Sequence, residues 1–297
     1  MKIPRISNLN RLFHTIRPLR WKQIFYRLNY RLRFWARPKQ LKETNIEPNL
    51  LSDYAALREL KVPLKALFKR ETILKGQFEF INLKEHIEFP PNWDFPSPCK
   101  LWRYQLHYFE WLYCLDYIDA KKCVLSWIEH YSFEQNRDGW EAYPTSLRLM
   151  SWSVFFIAVH QRELSNDNSF SNILSQSILT QAVWLEKNLE YHLMANHLLE
   201  NAAALLTVGS LFNGNLTERW KRTGSKILDQ EVREQILPDG MHFERSPMYH
   251  LRIFNVLKET RLLLKSNEEN HLKPILRSME KALDLVRHPD EDIALLN

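Results

Sequence analysis

From Lys100 to about residue 286, the chain consists of segments in which apolar residues recur every three or four positions, separated by short polar breaks. This spacing places the apolar side chains on one face of a helix. The predicted helices cover 103–117, 120–133, 144–161, 169–190, 194–212, 216–235, 246–265 and 270–286. Helices joined by short connections pack as antiparallel neighbours. We therefore predict an all-α fold of antiparallel helix hairpins, for which a helical barrel or toroid is a natural closure.

The first 99 residues follow a different pattern. Residues 1–37 mix basic with apolar positions, which predicts one or two amphipathic helices, and a short helix is expected near 50–70. Residues 73–83 alternate apolar and polar side chains as a strand does, and the four prolines within 89–98 exclude a helix there. We expect 1–99 to form a helical segment and a small extended excursion packed on the toroid.

Charge and cysteine content narrow the functional classes. The net charge is +6, and no acidic residue precedes Glu43, so the N-terminal segment could attract an acidic polysaccharide, a lipid surface or nucleic acid. A solvated basic helix face explains the same pattern, and because no recognition motif accompanies the charge, we predict no nucleic-acid partner. Cys99, Cys114 and Cys123 lack CxxC spacing and are interpreted as free thiols. With no signal sequence or long apolar run, we expect no membrane span and a cytoplasmic location, with a periplasmic one as the alternative.

Two polar stretches interrupt the apolar pattern and are candidates for a site. Asn196 and His197 precede Glu200 and Asn201 by three to five positions, so the four residues form one stripe on the predicted helix. Burying such groups without partners would be costly. Either a functional site or a satisfied packing network explains the stripe. A second stretch, 237–250, surrounds a Gly and a Pro with polar side chains: Asp239, His242, Glu244, Arg245, Tyr249 and His250.

Four stretches, 102–111, 139–152, 196–201 and 239–250, together resemble the N-terminal catalytic domain of heparinase II/III-like polysaccharide lyases. The resemblance implies an incomplete (α/α) toroid over residues 100–287, with 288–297 as the start of a linker to a β-sandwich domain that is expected to be missing here. In the family, that domain supplies a catalytic histidine and often a metal site. We therefore expect no metal and no cofactor in this chain, and a separate chain carrying the β-sandwich as one conceivable partner.

The resemblance also implies residue roles. Asn196 matches the amide that neutralises the uronate carboxylate, Tyr249 matches the tyrosine that acts as base or acid, and His197 and Glu200 match neighbouring catalytic positions. The expected substrate-binding residues are Arg148, Tyr104, His107, Trp140, Tyr143, Glu244, Arg245 and His250. Gln105 departs from the Asn that many members carry at that position.

The residue types themselves suit β-elimination from an acidic, uronate-containing polysaccharide. A neutral donor such as Asn196 stabilises an enolate-like state. A tyrosine needs cationic neighbours, such as Arg148 or Arg245, to act as a base near neutral pH. Two alternatives stay open: a non-catalytic acidic-glycan-binding module or fragment of a split lyase, and a glycoside hydrolase on a helical toroid. Hydrolysis would need two opposed carboxylates, for which the candidates are Glu200, Asp239 and Glu244.

Overall fold

A computed structural model describes residues 25–28, 68–133, 137–264 and 266–289. Residues 25–28 are helical. The α-helices that follow are α1 (Arg70–Leu74), α2 (Lys100–Tyr108), α3 (Tyr117–His130), α4 (Ala142–Trp152), α5 (Gln161–Ser165), α6 (Asn168–Lys187), α7 (Ala195–Leu211), α8 (Asn215–Gln235), α9 (Pro247–Arg261) and α10 (Ser266–Leu285). Strands β1 (Gln77–Phe80) and β2 (Leu83–His86) form a hairpin. Two 3₁₀ segments, Glu110–Cys114 and Asp138–Trp140, and one π-helical segment, Ser153–Val159, complete the described elements.

Helix α7 lies at the centre of the fold and packs against α4, α6, α8 and α9. Its residues from Leu198 to Gly209 are all buried, and small side chains such as Ala202 let neighbouring helices approach closely. Gly224 of α8 faces this surface, where an added Cβ would lie 2.8 Å from the Ala202 carbonyl oxygen. A helix that is apolar around its whole circumference belongs in the interior. The two polar residues that α7 buries, Glu200 and Asn201, are therefore surrounded by other helices.

The main core beside α7 is rich in aromatic side chains. Trp111, Trp127 and Trp152 are almost completely buried and pack around Phe109 in edge-to-face or stacked pairs, with ring centroids 5.2–6.5 Å apart. Such pairs add about 0.5–1.5 kcal/mol each to the gain from burial. Much of the aromatic content of the sequence is thus core material, and only part of it is available to a site.

The β1–β2 hairpin is attached to this core. Phe78 pairs with Glu85 and Phe80 with Leu83, while the two-residue turn has positive φ at both positions, which suits the right-handed twist of the strands. The rings of Phe78 and Phe80 are buried and lie edge-on to Trp111 and Trp102 at 5.1 Å. The predicted extended excursion is therefore a hairpin whose inner face completes the aromatic core.

The prediction of an all-α fold is confirmed, with differences at two helix ends. The helix predicted over 103–117 begins at Lys100 and ends at Tyr108, because Phe109 adopts a left-handed conformation (φ 60°) before a 3₁₀ segment. The helix predicted over 144–161 widens after Trp152 into the π-helical segment, where the His160 N–H donates to the Phe155 carbonyl oxygen. In the described part of the chain, no helix combines the length and hydrophobicity needed to cross a bilayer.

Several predicted features lie outside the described residues. They are most of the N-terminal helices within 1–37, the helix near 50–70 apart from residues 68–70, and residues 290–297 of the expected linker. The proposed division of the chain at residues 99 and 287 stays a prediction.

Candidate functional site

The polar stripe predicted on α7 begins where the helix begins. Met194 and Ala195 both have positive φ, 62° and 53°, which is unfavourable for residues with a side chain. Asn196 and His197 follow in the first turn and are half-buried, whereas Glu200 and Asn201 are wholly buried one turn later. Strained backbone of this kind persists only when the surroundings hold it in place.

Glu200 is the most heavily bonded carboxylate of this region. The Tyr143 hydroxyl donates to its Oε1 at 2.9 Å, and Arg252 donates from Nε to Oε1 at 2.7 Å and from Nη2 to Oε2 at 3.0 Å. A bidentate pair of this type is the strongest form of ion pair between side chains. Glu200 therefore joins α7 to α4 and α9, and its oxygens are occupied by the protein itself.

Tyr143 connects this carboxylate to the half-buried His197. Burial, followed by the negative charge of Glu200, raises the pKa of Tyr143 well above its ordinary value. The hydroxyl therefore stays protonated and acts as a donor. The ring of Tyr143 lies 4.3 Å from the imidazole of His197, centroid to centroid.

His197 is poised to carry a positive charge. Burial lowers its pKa, but the hydrogen bond to Glu190 and the charges of Glu190 and Glu200 outweigh burial, so that the pKa of His197 ends above its ordinary value. The contact joins His197 Nδ1 to Glu190 Oε1 at 3.3 Å. A protonated imidazole at the start of α7 would favour an anionic ligand there.

A second network fixes the turn that precedes α7. The Glu190 backbone N–H donates to Asn201 Oδ1 at 2.9 Å, and Asn201 Nδ2 donates to Ser146 Oγ at 3.0 Å and to Glu190 Oε2 at 3.1 Å. The buried amide of Asn201 is thus satisfied by three partners. For Asn201, the structure therefore shows the satisfied packing network that was one of the two explanations of the stripe. Asn196 and His197, by contrast, keep exposed surface.

Tyr249 lies half-buried in the first turn of α9, three residues before Arg252. Helical spacing places these two side chains on one face. Asn196 precedes Glu200 by four residues on α7, so the Arg252–Glu200 pair joins the face of α9 that carries Tyr249 to the face of α7 that carries Asn196. The ion pair therefore links α7 to α9 about one helical turn from Asn196 and from Tyr249.

Arg148 does not occupy the predicted position in a cleft. Its guanidinium is fully buried and donates to Gln181 Oε1 at 2.8 Å and to the Gly139 carbonyl oxygen at 2.7 Å, and it lies 4.1 Å above the Trp127 ring. The prediction of direct substrate binding by Arg148 is corrected to a structural role, because its donors serve the interior.

Two predicted histidines are also interior residues. His107 is buried, and its Nδ1 accepts from Trp127 Nε1 at 3.2 Å. His250 accepts from the His242 backbone N–H at 3.1 Å through Nδ1, and its Nε2 lies 2.9 Å from the Met279 carbonyl oxygen. Burial lowers the pKa of both histidines. Their expected contact with substrate is corrected for the same reason as that of Arg148: neither side chain reaches the surface.

The remaining predicted substrate-binding residues lie in three places. Glu244 and Arg245 are exposed on the loop before α9, and Arg245 is 3.8 Å from Asp239. Trp140 is buried in the aromatic core. Tyr104 is partly exposed, donates to Glu141, and lies below the Lys100 ammonium at 5.0 Å.

A row of aromatic rings runs from His197 towards α2. The ring centroids are 4.3 Å apart between His197 and Tyr143, 5.8 Å between Tyr143 and Tyr108, and 6.4 Å between Tyr108 and Tyr104. We call these four residues the aromatic row. The sequence analysis missed Tyr108 and Arg252, although Arg252 could have been found as the cation one helical turn after Tyr249.

No group of three or more His, Cys, Asp or Glu side chains within the described ranges is arranged to hold a metal ion. The polar groups described at this site are the amide of Asn196, the imidazole of His197, the phenols of Tyr143 and Tyr249, and the ion pair between Glu200 and Arg252. Each of these groups reaches the site from α4, α7 or α9.

Comparison with known proteins adds a family match. The family described as Heparinase II/III N-terminus matches residues 92–288. The chain is 28% identical over 174 residues to a heparin-sulfate lyase of Pedobacter heparinus, covering 52% of this chain and 25% of that protein. It is 34% identical over 101 residues to a heparin-sulfate lyase of Bacteroides thetaiotaomicron, covering 33% of this chain and 14% of that protein.

The fold has a solved counterpart. A crystal structure of heparinase III superposes with a TM-score of 0.56 at 22% identity, and the match covers 89% of this chain and 44% of that one. The chain thus matches less than half the length of this structure and about a quarter or less of the two curated relatives.

Proposed function

Because the chain belongs to the Heparinase II/III N-terminus family, we propose that it supplies the helical part of a polysaccharide lyase site for a uronate-containing, acidic polysaccharide. The observation that carries this proposal is the ion pair between Glu200 and Arg252, which joins the helix faces of Asn196 and Tyr249. The relatives named heparin-sulfate lyase make heparan sulfate the first polymer to test.

The proposed reaction is β-elimination. Asn196 donates to the uronate carboxylate and stabilises the charge that develops when the C5 proton leaves. Tyr249 removes that proton as its phenolate and returns a proton to the leaving oxygen. The C4–O bond breaks, a C4–C5 double bond forms, and no water is consumed.

The position of Tyr249 supports this assignment. Tyr249 lies one turn before Arg252 on the same face of α9, and Arg252 reaches α7 through Glu200. Arg148, the other predicted cation, is turned into the core.

The aromatic row supports a glycan as the ligand. Tyr104 and His197, at its two ends, are partly exposed, and sugars present flat C–H faces to such rings. A row of this length suits a polymer better than a single sugar.

Hydrolysis by the same site is less well supported. A glycoside hydrolase needs one carboxyl group as acid and a second as base or nucleophile. Glu200 is wholly buried and occupied by three donors, and Asp239 and Glu244 lie on an exposed loop. We therefore favour elimination, which needs none of the three.

The test is an assay of the purified chain with heparan sulfate and other uronate polymers, followed by the ultraviolet absorbance of the unsaturated uronate. We expect slow turnover that falls by about 10²-fold or more in Tyr249→Phe and Asn196→Ala. Tyr117→Phe is the matched control, because Tyr117 packs against Phe156 and Phe170, away from the site.

The other outcomes separate the alternatives. New reducing ends without unsaturated product would indicate a hydrolase. Saturable binding without either product would favour a glycan-binding module. Turnover that both substitutions leave unchanged would remove Asn196 and Tyr249 from the mechanism.

A further inference from the structure

We infer that Arg252 is a positioning residue for the proposed reaction: its bidentate pair with Glu200 sets the orientation of Tyr249 relative to Asn196. This inference rests on the proposed function for its kinetic consequence. Its structural part, the control of Tyr249 by the ion pair, can be tested without turnover.

The pair has the geometry needed to fix an orientation. Nε and Nη2 of Arg252 each hold one oxygen of Glu200, at 2.7 and 3.0 Å, so that the guanidinium and carboxylate planes are aligned. Glu200 has no exposed surface, and its Oε1 also accepts from the Tyr143 hydroxyl at 2.9 Å. A carboxylate that accepts three such hydrogen bonds cannot rotate without breaking at least one of them.

Arg252 itself is held by a second carboxylate. Its Nη2 lies 3.7 Å from Glu110 Oε1, in the 3₁₀ segment after α2, and its side chain keeps 31% of its surface exposed. Arg252 therefore stands between two acidic residues on different elements. Rotation of α9 about its own axis would pull the guanidinium away from both.

No short loop of the chain connects α7 directly to α9. Glu200 and Arg252 are 52 residues apart, and α8 and the 236–246 loop lie between α7 and α9 in the sequence. The two helices also share an apolar core, in which Leu199 and Leu206 of α7 cluster with residues of α9, namely Ile253, Phe254 and Leu257. This core holds the helices together, and the ion pair adds a directional contact between them.

The expected consequence is a loss of rate with little loss of binding. Reactions between held groups require the reacting atoms within about 3–3.5 Å, and a misplacement of about 1 Å can cost about 10²-fold in rate. Arg252→Lys keeps the positive charge but lacks the planar pair of N–H donors. It therefore shows whether the charge alone is sufficient.

A surface pair provides the matched control. Arg219 on α8 makes the same bidentate contact with Glu186 on α6, with both bonds at 2.6 Å, but Arg219 is 52% exposed and the pair joins two helices that carry neither Asn196 nor Tyr249. Substitution of Arg219 removes an equivalent bidentate ion pair without changing a residue of α9.

The experiment compares Arg252→Lys and Arg252→Gln with Arg219→Lys and Arg219→Gln. In steady-state assays on heparan sulfate, both Arg252 variants should lower kcat by about 10²-fold with KM within about threefold. The Arg219 variants should stay within about twofold of the wild type in both constants. A rise in KM at constant kcat in the Arg252 variants would overturn the inference, because Arg252 would then be binding substrate directly.

A second measurement applies even if the chain alone makes no product. Fluorotyrosine placed at position 249 gives one ¹⁹F resonance, which should shift on Asn196→Ala in the wild-type background. With Arg252→Gln, the resonance should broaden or split and lose its response to Asn196→Ala, whereas Arg219→Gln should change neither property. An unchanged resonance and response in Arg252→Gln would overturn the inference whatever the assay shows. Absence of unsaturated product with the expected resonances would instead count against the proposed function alone.

Discussion

Replacing Arg148 by Met should destabilise the fold and leave glycan affinity unchanged. The substitution removes a buried charge and strands Gln181 Oε1, and it takes one of two donors from the Gly139 carbonyl oxygen, which also accepts from Thr145 Oγ1 at 3.4 Å. It also removes the contact with the Trp127 ring at 4.1 Å. Methionine replaces the aliphatic part of the side chain but not the guanidinium.

The magnitude follows from these contacts. The one stranded acceptor costs about 1–3 kcal/mol, the lost hydrogen bond to the Gly139 carbonyl oxygen about 1 kcal/mol, and a desolvated cation–π contact contributes about 2 kcal/mol. Removing the buried charge returns part of this, because its desolvation costs several kcal/mol. The net loss should be about 3 kcal/mol, or a decrease of about 6–12 °C in Tm for a domain of this size.

The measurement is urea denaturation of Arg148→Met beside Arg219→Met, followed by circular dichroism, with heparan sulfate binding measured on the folded proteins. The exposed Arg219 pair should contribute no more than about 1 kcal/mol. If Arg148→Met unfolded at the wild-type midpoint and bound the glycan less tightly, the buried, structural role assigned to Arg148 would be refuted.

Three other predictions follow from single residues. Burial and the neighbouring His250 lower the pKa of His242 to about 4, below the roughly 6.5 of the unfolded chain. The unfolded state therefore binds the proton first, and stability should be full above pH ~6.5 and fall by about 3 kcal/mol towards pH ~4, more than in His242→Gln; equal acid loss in both would contradict this. Ala195→Gly places a glycine at a φ of 53° and should raise the free energy of unfolding, measured by urea denaturation, by up to about 1 kcal/mol. A lower denaturation midpoint than that of the wild type would show that the turn is unstrained. In Gly240→Ala, the new Cβ would lie 2.3 Å from the Ser278 carbonyl oxygen at a φ of 86°, so the same melts should show a loss of about 2 kcal/mol or more, and an unchanged midpoint would disprove the close contact.

The helices could be predicted from the sequence because each buries a stripe of regularly spaced apolar side chains. The break at Phe109 could not, since a left-handed Phe has no local sequence signal and is imposed by its burial among Trp93, Trp111 and Trp152. Tertiary packing overrides local preference at such a position.

The stripe on α7 was predicted as one feature, but the structure divides it. Glu200 and Asn201 are saturated by partners on other helices, and only Asn196 and His197 retain exposed surface. Arg148 was predicted to be accessible because arginine usually is. Its burial depends on acceptors from Gly139 and Gln181, which are 9 and 33 residues away in sequence and become neighbours only in the folded chain.

The π-helical segment Ser153–Val159 has a consequence for the evolution of chain length. A π turn contains one residue more than an α turn, so deletion of one residue within it can leave an ordinary helix. The same deletion in the first turn of α7 would rotate Asn196 by about 100° relative to Glu200. Length variation among homologous chains should therefore be tolerated at 153–159, because a change there leaves Arg148 and the turns before it in register. Between residues 196 and 200, such variation should be selected against.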